Sequence, residues 1–188
     1  MRVISGTARG TGLFSPQGTT TRPTSDFVKE NLFNIIQADL GGINFLDLFA
    51  GSGAIGIEAL SRGASFATFV DISQKSIDLI RRNLAKVRLE QRANVIKGDA
   101  GAAIKKIAAG GQKFGIIFLD PPYFEGLVEK TLASIVTENI LATDGYIVLE
   151  MSKTETATNA AGLEILKEKE YSGTRLIFYG LSDDMENI

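Results

Sequence analysis

The sequence predicts an α/β protein whose mostly parallel sheet is covered by helices on both faces. Three observations carry that prediction. Short apolar runs alternate with amphipathic helical stretches from residue 45 to residue 151. A glycine-rich turn, Gly51-Ser52-Gly53, follows the first apolar run and opens a helix. Acids then stand after successive runs, at Asp71, Asp99 and Asp120, where a parallel sheet presents its ligand-binding edge.

Residues 1–23 read as an extended arm punctuated by Gly6, Gly10, Gly12, Pro16, Gly18 and Pro23, with Val3-Ile4 and Leu13-Phe14 as the limbs of a short hairpin. A helix capped by Thr24 or Asp26 runs to about Asp39, with Val28, Leu32, Ile35 and Ile36 on its apolar face and Gly41-Gly42 ending it. Phe45 to Phe49 is a buried strand and Ala54 to Arg62 a helix. Phe66 to Val70 forms a second strand, followed by a helix from Gln74 to Val87. Val95-Ile96 belongs to a third strand, and Ala100 to Ala109 to the next helix. Ile116 to Leu119 is a fourth strand, Leu127 to Asn139 a helix, and Tyr146 to Met151 a fifth strand. No helical pattern separates Leu163–Lys167 from Thr174–Tyr179, so these two runs form an antiparallel pair.

At 188 residues, 44% hydrophobic and 22% charged, the chain has the composition of a soluble single domain. No run reaches the length of a membrane span, and Met1-Arg2-Val3-Ile4-Ser5-Gly6 carries no signal-peptide core, so a cytoplasmic protein is expected. With no Cys and no His, thiolate chemistry, disulfides and the commonest general base and metal ligand are excluded. A net charge of −2 is not that of a general nucleic-acid binder. The charge is uneven, however. Residues 75–106 hold nine Lys and Arg, most of which read as the solvated basic face of a helix. Arg9 and Arg22 lie instead among the glycines and prolines of the arm, and the tail from Asp183 to Glu186 is acidic.

Glycines 51, 53 and 56 satisfy G-x-G-x-x-G, and Asp71 follows the first by 20 residues, the spacing of an acid that binds a ribose diol. That pattern suits any adenosine-containing cofactor. Asp47 discriminates among them, because a carboxylate inside an apolar strand needs a partner. An ammonium or a sulfonium would favour it, whereas a pyrophosphate would be repelled. Asp99 can accept a bond from an adenine amine and can cap the helix that begins at Ala100, and the two roles are compatible. In Asp120-Pro121-Pro122-Tyr123 the prolines end the strand and supply no N–H. A carboxylate, a carbonyl and an aromatic ring gathered at one strand end are equipped to grip a planar molecule bearing an NH2 group. Asp-Pro-Pro is also an ordinary turn sequence, so its meaning rests on the upstream pattern.

Taken together, Asp47-Leu48-Phe49-Ala50-Gly51-Ser52-Gly53, the acid after strand two, Gly98-Asp99-Ala100 and Asp120-Pro121-Pro122-Tyr123 resemble the class I S-adenosylmethionine-dependent amino-methyltransferases. Thr21-Arg22-Pro23-Thr24-Ser25-Asp26, Glu30-Asn31-Leu32-Phe33 and Glu58-Ala59-Leu60-Ser61-Arg62-Gly63-Ala64 narrow the resemblance to the bacterial 16S ribosomal RNA guanine-N2 methyltransferases, over roughly residues 2–180. The resemblance implies one Rossmann-like domain over 24–180, with a seven-stranded sheet in the order 3-2-1-4-5-7-6 and strand seven antiparallel. It also implies an RNA-facing arm over 1–23, while the acidic stretch over 181–188 is expected to be a disordered tail. S-adenosyl-L-methionine, with no metal, would lie against Asp47, Ala50, Gly51, Ser52, Gly53, Asp71, Ile72, Asp99 and Ala100. Asp120, Pro121, Pro122 and Tyr123 would be catalytic, and Arg9 and Arg22 would seat RNA. The implied partner is 16S rRNA or a small-subunit assembly intermediate, and the chain is expected to be a monomer.

Phe27 and Lys29 stand where relatives often carry arginine, and Thr11-Gly12 replaces a usual basic pair, so the basic RNA-facing surface is thinner. Four alternatives stay open, one of them a non-catalytic RNA-binding module, which would tolerate the loss of Asp120 and Tyr123. An adenine-N6 methyltransferase on DNA or RNA would use the same chemistry, although such DNA enzymes usually carry a further target-recognition segment. A protein-glutamine methyltransferase would have Asn in place of Asp120. A nicotinamide-dependent oxidoreductase would leave Asp-Pro-Pro-Tyr without a role.

Overall fold

The computed structural model describes residues 1–16, 26–122, 126–156, 160–171 and 173–182. Seven strands form one sheet in the order β3-β2-β1-β4-β5-β7-β6. They are β1 (Asn44–Leu48), β2 (Phe66–Asp71), β3 (Ala93–Lys97), β4 (Phe114–Leu119), β5 (Leu141–Ser152), β6 (Leu163–Tyr171) and β7 (Thr174–Leu181). β1 to β5 are parallel, while β7 runs antiparallel to both β5 and β6. The helices are α1 (Asp26–Ile36), α2 (Ala54–Arg62), α3 (Gln74–Val87), α4 (Ala100–Ala109) and α5 (Leu127–Thr137). This is the architecture and strand order that the resemblance implies.

Alternation along the central strands builds two cores. Phe45 of β1, Phe69 of β2, Ile116 and Phe118 of β4 and Val148 of β5 pack on one face, against α1, α2, α3 and the arm. Leu46, Leu48, Val70, Ile117, Leu119 and Ile147 pack on the other, against α4 and α5. Asp47 follows the first of these alternations and projects toward α2. Its register partners on either side are Phe69 and Phe118.

The ends of α2, α3 and α4 coincide with the sequence expectation because local chemistry sets them. The Ser73 hydroxyl accepts from the Ser76 N–H at the start of α3, and Asp99 Oδ1 accepts from the Ala102 N–H at the start of α4. Other boundaries differ. α1 ends at Ile36 and continues only as a 3₁₀ turn over Gln37–Asp39. α5 stops at Thr137, and Asn139 then turns left-handed at φ 50°. Phe49 is not part of β1: register ends at Leu48, and Phe49 turns out of the sheet at φ 65°. β5 starts at Leu141 rather than Tyr146, because Ala142-Thr143-Asp144-Gly145 is absorbed by a register shift between Phe114 and Ile116. β6 extends to Tyr171 as an exposed edge strand, with Lys and Glu on both faces, the usual protection of a sheet edge.

The arm forms the expected short hairpin. Arg2 bridges Gly12, the Val3 N–H donates to the Thr11 carbonyl, and the Leu13 N–H donates to Met1. Val3 and Leu13 enter the first core. Among the described residues, no helix is long and apolar enough to cross a membrane.

Candidate functional site

The carboxyl ends of β1, β2 and β4 bring three acids into one electrostatic neighbourhood. Asp47 is buried, and its Oδ2 accepts a 3.0 Å bond from the Gly56 N–H in the first turn of α2. Desolvation pushes its carboxyl up to about 8, with the charges of Asp120 and Asp71 raising it further and the Gly56 bond opposing them. Among the described residues no cation forms an ion pair with it. Asp71 ends β2 half-buried. Its Oδ2 accepts from the Gly51 N–H at 2.8 Å and its Oδ1 from the Ser73 N–H at 2.8 Å, so it ties the glycine turn to the start of α3.

The glycines have separate reasons. Gly51 has φ 55°, and a Cβ there would meet nothing within 4 Å, so the turn faces open space. Gly53 sits left-handed at φ 77° as the N-cap of α2. Gly56 is needed for packing, since a Cβ there would lie 2.3 Å from the Phe69 ring. Asp47 holds the Gly56 N–H, one of the first-turn donors that a pyrophosphate at the head of α2 would use. That geometry disfavours a dinucleotide, despite the G-x-G-x-x-G match.

Ala50 and Ser52 are buried beside Gly51, and the Ala50 N–H donates to the Val70 carbonyl. Ile72 is 71% exposed directly after β2, an apolar side chain standing in solvent at the rim of the same strand ends. Asp99 caps α4 through one oxygen, and Ala100 is buried behind it. Asp120 lies one residue beyond the Leu48–Leu119 register pair, half-buried, with Pro121 buried and Pro122 exposed. These residues line one edge of the sheet. Arg9 does not join them. It is exposed in a turn whose neighbours Thr7 and Ala8 bond to Ser61, near the end of α2 remote from the glycine turn. Arg22 and Tyr123 lie outside the described residues.

Sequence reasoning assigned no role to the residues that fasten the arm. Glu58, fully buried on α2, accepts from the Ile4 N–H at 2.8 Å, the Ser5 N–H at 2.9 Å and Arg62 Nε at 2.8 Å. Lys29 Nζ stands 3.5 Å from Glu58 Oε2 and donates to the Arg2 carbonyl at 2.5 Å. Desolvation lowers the Lys29 pKa, opposed by Glu58 and Asp26. Lys29 is therefore spent inside the protein and is not RNA-facing charge. Asn83 of α3, also fully buried, accepts from the Phe14 N–H and donates to the carbonyls of Phe14 and Ser52. It links the arm directly to the glycine turn. An acid on a helix buried along its whole length is the signal that could have exposed Glu58.

Comparisons with known proteins show what the chain is similar to. A family model described as "Conserved hypothetical protein 95" matches residues 1–180. The YlbH protein of Bacillus subtilis (strain 168), provisionally assigned as an rRNA methyltransferase, is 42% identical over 173 residues, covering 92% of this chain and 94% of its own. "Ribosomal RNA small subunit methyltransferase D" of Escherichia coli (strain K12) is 36% identical over 150 residues, 80% of this chain and 74% of that one. The solved structure of Escherichia coli yhhF, provisionally a methyltransferase, matches with a TM-score of 0.83 at 30% identity, covering 97% of this chain and 98% of the other.

Proposed function

The chain belongs to the Conserved hypothetical protein 95 family, and from that premise we propose that it is an S-adenosylmethionine-dependent methyltransferase acting on the exocyclic N2 amine of a guanine in 16S ribosomal RNA. One observation carries the reading: three acids, Asp47, Asp71 and Asp120, share one strand-end edge beside an open glycine turn, and the buried Asp47 has no cationic partner among the described residues. The named relatives supply the substrate class.

The donor set fits the cofactor. Asp47 is a buried acid that ionises when an ammonium or a sulfonium lies beside it, and a phosphate would give it no such stabilisation. Asp71 offers its carboxylate to a ribose, Asp99 and Ala100 border the purine, and Ile72 supplies an apolar face beside them. Ala50, Gly51, Ser52 and Gly53 give the backbone close approach. When bound, the cofactor supplies an electrophilic methyl group on a sulfonium.

The chain's own task is to make a weak nucleophile attack. The lone pair of a purine's exocyclic amine is delocalised into the ring. Asp120 and the Pro121 carbonyl would accept its two N–H bonds, drawing the nitrogen toward tetrahedral geometry and turning its lone pair toward the methyl donor. The amine would release one of those protons to solvent as it gains the methyl. Pro122 stiffens the segment, since its ring fixes φ. Tyr123 stacks on the base, a contact worth roughly 1–3 kcal/mol. Because the base must leave its stack to reach a pocket at the strand ends, the target lies in a loop or is extruded. Positioning and preorganised charge then supply the acceleration.

Asp120→Ala tests this role in a single-turnover assay with tritiated methyl donor and unmodified 16S rRNA. Methyl transfer should slow by about 100-fold or more, the scale for losing one preorganised polar contact. Cofactor binding should stay near normal. Near wild-type transfer by the variant would remove Asp120 from the chemistry.

A further inference from the structure

The cations of α3 that the sequence reads as a solvated face are organised around an aromatic ring. Phe14, 39% exposed, has Arg82 Cζ and Lys86 Nζ each 4.4 Å from its ring centroid. Arg82 and Lys86 are four residues apart on one helix face, a spacing at which like charges oppose each other. The ring quadrupole eases that repulsion but leaves both charges in place. Arg81 and Arg88 are exposed nearby. Among the described residues, none of these four cations takes part in an ion pair. The acid within α3, Asp78, accepts from Gln74 instead.

The bland explanation covers only part of this. Cations in the last turn of a helix complement its dipole, which accounts for Lys86 and Arg88. It does not account for Arg81 and Arg82, a turn further in. Arg92 shows what a structural arginine does here: it donates to the Ala64 and Ser65 carbonyls. Nor is Phe14 placed by chance. Both polar groups of its backbone are held by the buried Asn83, whose third bond goes to Ser52 in the glycine turn. On the other flank of α3, away from Phe14, a groove of about 310 Å³ runs between the helix and the edge strand β3, with Arg81 and Asn94 in its wall and Glu90 as its acid.

We infer that the Phe14–Arg82–Lys86 cluster, with Arg81, is an RNA-docking surface that receives the phosphodiester backbone and one unstacked base beside the target nucleotide. The inference rests on the substrate class proposed above. Charge complementarity commits the occupant to RNA: a positive face on a chain of net charge −2, with an exposed ring among the cations, has the make-up of a single-strand platform. It compensates for the cations lost elsewhere, since Lys29 of α1 is buried and Arg9 of the arm sits at the far end of α2.

The test uses fluorescein-labelled unmodified 16S rRNA transcript and the full chain, with affinity followed against salt. Each phosphate contact contributes about 0.7–0.9 to the slope of log affinity against log salt. Arg81→Ala/Arg82→Ala/Lys86→Ala should therefore lower the slope by about 2 to 3 and weaken binding on the order of 10-fold. Phe14→Leu should weaken binding about 5-fold or more with little change in slope. Thermal shift with S-adenosylhomocysteine should be unchanged in both, which certifies folding, and Arg82→Glu gives a second, single-site reading. Lys105→Ala/Lys106→Ala, removing exposed charge from α4 on the opposite face of the sheet, should leave the slope intact.

A triple variant with wild-type affinity and slope, or a Lys105/Lys106 variant that loses as much, overturns this surface while the catalytic reading stands. Weakened binding to assembled small subunits with naked transcript unaffected would assign the patch to a ribosomal protein, and also overturns it. A wild-type chain that neither binds nor methylates rRNA sinks both readings.

Discussion

Asp47 is a carboxylic acid held neutral by its surroundings until a cation arrives. Its pKa, pushed up to about 8, lies above the unfolded value, so the folded state binds a proton that the unfolded chain has lost between about pH 4 and pH 8. The cost of burying this group therefore grows as pH rises through that window and is complete above about 8. Asp47→Asn should gain stability over the wild type with rising pH across the window, because the amide oxygen still accepts the Gly56 N–H and carries no charge. Ligand binding inverts the balance. An ammonium near Asp47 lowers its pKa, so binding S-adenosylhomocysteine near pH 7 should release about one proton. Calorimetry in two buffers of different ionisation enthalpy measures that release. The same binding enthalpy in both buffers would show that Asp47 does not meet the cation.

At the scale of elements, the arm is a clasp closed by Glu58, and the clasp has no slack. Gly6 shows how tight it is: with φ 80°, a Cβ there would lie 1.8 Å from the Ser61 carbonyl oxygen. Removing Glu58 leaves Lys29, 1% exposed, with Asp26 at 3.8 Å as its remaining acid. Glu58→Ala should cost about 3–5 kcal/mol, the usual penalty for a buried charge deprived of its partner. Urea unfolding measures this, and a loss below about 1 kcal/mol would show that the pair is not structural. The clasp was not legible in the sequence because its bonds join residues 53 and 54 positions apart. The helices were legible, because Ser73, Asp99 and Gly63 set their ends locally. β6 was only half legible, since an edge strand with both faces in solvent has no alternation to reveal it. Asp47 announced itself as an acid in an apolar run. The turn-out of Phe49 did not, because an apolar residue next to a strand reads as more strand.

At the scale of the molecule, the sheet order places Asp47, Asp71 and Asp120 on adjacent strands, since β2, β1 and β4 are neighbours. Sequence distance hides this proximity and topology creates it. The arm and α3 then frame the same edge from one side, through Asn83. A ligand that binds only the folded chain stabilises it by about 2.7 kcal/mol at 100 times its Kd. For a chain of this size, S-adenosylhomocysteine should thus raise Tm by roughly 5–11 °C. NAD at the same concentration should leave Tm unchanged, and the reverse order would return the glycine motif to a dinucleotide.

The central claim is that this edge presents one guanine amine to a methyl donor. Methylation of unmodified 16S rRNA with labelled S-adenosylmethionine, followed by digestion and nucleoside analysis, tests it most directly. The label should appear in N2-methylguanosine, at about one methyl per rRNA. Label in N6-methyladenosine, or none in RNA while the cofactor still binds, would contradict it.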